Sequence, residues 1–117
     1  QFGQRLLALL YSPQVQAVRR LTVAEAGRSD LGRQCYELGP VRSEAVTAAF
    51  LQQAMNTGQL RQADARVAAL HLRGLLEAEW LDRFLCQVLE SVSPAEIEAS
   101  VHRAVVAFMA AYGPLPR

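Results

Sequence analysis

The stretch Asp64–Leu89, DARVAALHLRGLLEAEWLDRFLCQVL, decides the fold. Laid out at about 100° per residue, Val67, Leu70, Gly74, Ala78, Leu81, Leu85 and Val88 make one apolar stripe. Ala68, Ala69, Leu72, Leu75 and Leu76 make a second, and Trp80 with Phe84 carries apolar character to a third side. Arg66, Arg73, Glu77, Glu79, Asp82, Arg83 and Gln87 are the interruptions. A helix without a wide polar face cannot lie on the outside of a small single chain. This one is either central to the fold or buries a second face against a partner.

Outward from that helix, the rest of the chain also reads as helix. The segments are Phe2 to Tyr11, Pro13 to Ala26, Asp30 to Leu38, Val41 to Thr57 and Pro94 to Tyr112. Ser12-Pro13 with Gln16, and Ser93-Pro94 with Glu96, each supply a capping hydroxyl, a proline at the first helical position and an acceptor in the first turn, Glu96 at the third position and Gln16 at the fourth. Gly27, Gly39-Pro40, Gly58 and Gly113-Pro114 supply the stops. Pro40 disfavours helical geometry at Gly39, so the third and fourth segments are either separate or one kinked rod. No alternating strand pattern occurs. The expectation is an all-α antiparallel bundle of about six helices, one domain over residues 1–117.

The chain has 117 residues, 51% apolar and 20% charged, which excludes disorder and suits one core. Twelve basic residues against eleven acidic give +1, too balanced for an electrostatic nucleic-acid clamp. Every basic residue is Arg, a bias that fits GC-rich codon usage better than phosphate binding. Cys35 and Cys86 form no disulfide framework and suit a reducing cytoplasm. No apolar run reaches the ~20 residues of a membrane span. Gln1-Phe2-Gly3 is neither an initiator Met nor a signal peptide, so the chain reads as part of something longer.

The last helix carries a main stripe of Ile97, Val101, Ala104, Val105, Phe108 and Tyr112, and a lesser face of Ala99, Val106, Met109 and Ala110. Two adjacent helices with apolar surface to spare imply a two-fold interface, each pair meeting its copy in a four-helix bundle. Leu72, Leu76, Trp80, Arg83, Phe84, His102, Val106, Met109 and Ala110 are the expected interface residues.

Candidate chemistry is sparse. Glu25 falls inside the stripe of Val15, Val18, Leu21, Thr22 and Ala26, where a carboxylate needs a partner. An Arg from a neighbouring helix, a polar contact in a ligand cavity, and a general base all satisfy that need. His71 and His102 have no ligand-spaced neighbours for zinc, and Cys35 has no assembled catalytic partners. Phosphate loops, nucleophile elbows and HExxH pairs are missing too. No cofactor and no enzyme are expected. Tyr36, Phe50 and Trp80 are either core or the lining of a cavity, with Ala45, Ala48, Ala49 and Ala54 leaving room beside Phe50.

Three stretches carry a family likeness: Leu21-Thr-Val-Ala-Glu-Ala-Gly-Arg-Ser-Asp-Leu31, Tyr36-Glu-Leu-Gly-Pro-Val-Arg42 and Thr57-Gly-Gln-Leu60. With Ala65 to Leu76 and Phe108 to Gly113, they resemble the C-terminal domain of TetR-family transcriptional regulators, the AefR-like subgroup in particular. The resemblance implies a homodimeric bacterial repressor whose last two helices dimerise and whose first, second, fourth and fifth helices enclose a small apolar effector. Leu10, Val18, Thr22, Glu25, Tyr36, Phe50, Ala54 and His71 are then the expected pocket residues, Glu25 or His71 orienting the ligand. It also implies an N-terminal helix-turn-helix domain before Gln1, through which alone operator DNA would be bound. A freestanding helical adaptor and an enzyme built around Glu25 are the competing readings.

Overall fold

The computed structural model describes residues 2–89 and 92–116; Gln1 lies outside the described residues. Seven helices follow one another: α1 (Phe2–Leu10), α2 (Pro13–Glu25), α3 (Leu31–Leu38), α4 (Pro40–Asn56), α5 (Ala65–Glu77), α6 (Leu81–Leu85) and α7 (Pro94–Tyr112). No strand occurs among the described residues. Both serine caps form, but Gln16 does not close the first as an acceptor: it donates to Tyr11 O and accepts from Arg20. Ser12 Oγ accepts from Val15 N at 3.3 Å. Ser93 and Glu96 close a reciprocal capping box, Glu96 N donating to Ser93 Oγ at 3.2 Å and Ser93 N to Glu96 Oε2 at 2.8 Å. Gly58 stops α4 with a φ of 81°, a left-handed conformation that costs glycine nothing. Gly39 separates α3 from α4 as two helices.

One boundary differs from expectation. The helix read as Asp64–Leu89 ends at Glu77 and resumes as the short α6. No glycine or proline marks the break. At it, Ala78 N bonds Leu75 O and Trp80 N bonds Glu77 O, three-residue spacings that tighten the last turn. The cause is tertiary: Trp80 and Phe84 both enter the core against Tyr11, at centroid distances of 6.4 and 6.0 Å. Gln87, with a φ of 59°, then closes α6, and Leu89 N returns to Arg83 O.

The core has two parts. Leu7, Tyr11, Leu76, Trp80, Phe84, Val101 and Ala104 form one. Leu51, Met55, Leu60, Ala68, Ala69 and Phe108 form the other. Leu72 and Leu75 of α5 pack against both, so α5 is the central element. The chain measures 50 × 33 × 19 Å, and the short axis is about two helix diameters. Its radius of gyration, 15.5 Å, exceeds the roughly 13 Å of a compact globule of this length. In so flat a slab α2 buries no residue, and Val18 and Leu21 stay exposed.

Candidate functional site

Two hollows bear on function, one against α5 and one away from it. The smaller, about 110 Å³, lies between α3, α4 and α5, with Tyr36, Ser43, Thr47, Leu70 and Arg73 in its wall. Arg66 pairs with Glu44 there at 2.7 Å. The larger, about 640 Å³, lies between α1, the start of α2 and the residues around the start of α7. Leu7, Tyr11, Leu89, Val92 and Ile97 make most of its apolar wall, and Ser12, Gln16 and Arg20 are its other polar contributors. Its volume falls in the range of about 300–1,000 Å³ usual for small-molecule sites, whereas the smaller hollow does not reach it.

A buried carboxylate is bonded to a wall residue of each. Glu77, only 6% exposed, receives Tyr11 Oη and Arg19 Nη2 on Oε1, both at 2.7 Å, and Arg73 Nε on Oε2 at 2.9 Å. Arg19 lies over the rings of Tyr11 and Phe84, 5.1 and 4.8 Å from their centroids. Tyr11 belongs to the wall of the large hollow and Arg73 to that of the small one. Glu77 therefore ties α1, α2 and α5 together through one wall residue of each hollow. Burial pushes its carboxyl up, but the hydrogen bonds from Arg73, Tyr11 and Arg19 outweigh that and hold it below the ordinary value. Tyr11 moves the opposite way: burial, then its bond to Glu77 and that group's charge, raise its phenol well above 10.0. At neutral pH the knot holds a carboxylate, a neutral phenol and two guanidinium groups.

The eight residues expected in a pocket do not converge. Tyr36 alone of them lines either hollow. Leu10 is half-buried against the first core cluster and Ala54 against the second. Val18 is exposed, and Thr22 Oγ1 donates to Val18 O of its own helix at 2.9 Å. Glu25 has no ion-pair partner among the described residues, and its backbone oxygen caps the turn through Arg28 N and Ser29 N. Phe50 points out, 71% exposed. His71 is exposed, with Nδ1 against the Tyr112 hydroxyl. The buried carboxylate is Glu77, not Glu25. A signal existed: Glu77 sits three residues before Trp80 and seven before Phe84, on the third apolar side of its helix, with Arg73 one turn back.

Of the expected interface residues, Leu76, Trp80 and Phe84 lie in the chain's own core, Trp80 donating its indole N–H to Ser100 Oγ at 3.1 Å. Burial leaves those side chains almost no surface to offer another copy. Leu72 is half-buried between the clusters. Arg83 lies over Trp80 at 4.8 Å, and His102 borders a shallow hollow with Gln4 and Glu98. Val106, Met109 and Ala110 face outward on α7, beside Val105. On α5, Val67 and Leu70 are also exposed.

Among the described residues no three His, Cys, Asp or Glu side chains group to hold a metal, and no helix is long and apolar enough to cross a membrane. The fold and its hollows define an all-helical domain organised around one buried ionic knot. The chain belongs to the family of AefR-like transcriptional repressor C-terminal domains, whose pattern it matches over residues 1–114. In structure it is similar to a protein from Mesorhizobium loti described as a TetR-family transcriptional regulator, at 36% identity and a TM-score of 0.88. That likeness covers 95% of this chain and 55% of the other, so the chain spans little more than half of its structural relative. No curated protein matches it.

Proposed function

We propose that the chain is the effector-binding and dimerisation domain of a cytoplasmic bacterial repressor, and that a small apolar ligand occupies the hollow of about 640 Å³. That hollow is the observation that carries the reading. Its wall includes α1, the element that would connect to a preceding helix-turn-helix domain, and Tyr11, which Glu77 ties to α5. α5 packs on α7, and both keep apolar side chains outside. Two copies meeting through those helices would cover Val106, Met109 and Leu70. The effector would then act by differential affinity for two arrangements of the dimer, and operator affinity would change only as far as that difference allows.

Two substitutions separate the parts. Ala8→Trp places an indole in the hollow's wall and is expected to weaken binding of the neutral dye Nile red by about tenfold or more, leaving dimers intact. Val106→Arg puts a charge on an exposed α7 position and is expected to give folded monomers of unchanged helical content, with a melting temperature that no longer depends on protein concentration. Dye binding indifferent to Ala8→Trp, measured by fluorescence titration, would remove the hollow as the effector site. Dimers that survive Val106→Arg would remove this face as the interface.

A further inference from the structure

Resting on that reading of the large hollow, we infer that its ligand is an amphipathic organic acid, an apolar body carrying a single carboxylate that docks on Arg20. The polar side chains of the wall are otherwise occupied. Tyr11 donates to Glu77 at 2.7 Å. Ser12 Oγ donates to Leu9 O at 2.8 Å and accepts from Val15 N. Gln16 donates to Tyr11 O at 2.6 Å and accepts from Arg20 Nη2 at 3.3 Å. Arg20 Nε is different: it is buried and, among the described residues, has no partner. A buried guanidinium N–H without an acceptor costs free energy that an incoming oxygen would recover.

The charge balance points the same way. Arg19 and Arg73 share one carboxylate, Glu77, while Tyr11 stays neutral, and Arg20 beside them has no ion-pair partner among the described residues. Arg20 is the charged residue in the wall of the large hollow, and it also borders a smaller one of about 170 Å³ beside Phe84 and Gln87. Its guanidinium lies 5.3 Å from the Phe84 centroid and donates through Nη2 to Gln16 Oε1. One unpartnered N–H beside polar wall groups that already have partners suits a small monoanion. A phosphate dianion would need several donors that the wall does not offer.

The test compares decanoate, decanamide and decyl phosphate by isothermal titration on the 117-residue chain. Decanoate is expected to bind about tenfold or more tighter than decanamide, because a hydrogen bond to a charged group is worth more than one to a neutral group. Arg20→Gln is expected to bring the acid-to-amide ratio close to one while the amide still binds. The comparison in the unaltered chain decides first, so a variant that fails to fold does not shield the inference. Equal affinities for acid and amide would overturn it, as would tighter binding of decyl phosphate. If none of the three binds while Nile red does, the carboxylate assignment falls and the hollow stands; if nothing binds at all, both fall.

Discussion

Glu77→Ala is expected to cost about 3 kcal/mol of folding stability, because it leaves Arg19 and Arg73 facing an apolar core with no counter-charge. The value sits at the low end for a broken buried pair, since Arg73 keeps about a third of its side chain in water. For a chain of this length that is a fall in melting temperature on the order of 10 °C. The same knot sets two pH limits. Glu77 is held below its ordinary 4.5 in the folded state, so its contribution is complete above that value and is lost as pH falls through the depressed folded one. Tyr11 is held above 10.0, so its contribution is complete below that value and is lost as pH rises beyond it. Urea unfolding at about pH 7, pH 3 and pH 11 checks both arms. Glu77→Ala should flatten the acid slope and Tyr11→Phe the alkaline one. An acid slope unchanged by Glu77→Ala would place the acid sensitivity elsewhere, for instance at the exposed Arg103–Glu79 pair.

Phe84→Ala is expected to destabilise by about 3–5 kcal/mol, the usual cost of removing a buried phenyl ring. Phe84 is 2% exposed and is the buried residue of α6, a helix of five residues too short to persist without its anchor. It touches Tyr11 edge-on and lies under both Arg19 and Arg20. Its loss should therefore release residues 81–89 to rapid hydrogen exchange as well as lower the melting temperature of the whole chain. A residue whose main role was to meet a second copy would behave otherwise: Phe84→Ala would shift the dimer equilibrium and leave the monomer's melting temperature alone. That second pattern would contradict the core assignment.

The helical architecture was legible because its signals are local. Ser12, Ser93, Gly58 and the Gly39-Pro40 joint act within one turn, and α1, α2, α3, α4 and α7 end within one or two residues of where those signals place them. The break after Glu77 was not legible, since nothing in Glu77-Ala-Glu-Trp80 disfavours helix. Tyr11, sixty-six residues earlier, supplies the reason through its bond to Glu77 and its contact with Phe84. The pocket residues suffered from the same distance. Periodicity identifies an apolar stripe but not what covers it, so Val18 and Phe50 look like core in the sequence and stand in solvent in the chain. Arg20 and Gln16 escaped notice because their significance comes from what α1, α6 and the start of α7 bring beside them. The spare apolar surface of α7 is legible in the sequence, since Val106 and Met109 follow the period of the helix, and no described residue covers them.

Native mass spectrometry of the chain at micromolar concentration, titrated with Nile red or decanoate, is the most direct test of an effector-binding dimerisation domain. A dimer that takes up one small molecule per protomer is the expected result. A monomer that takes up none would contradict it.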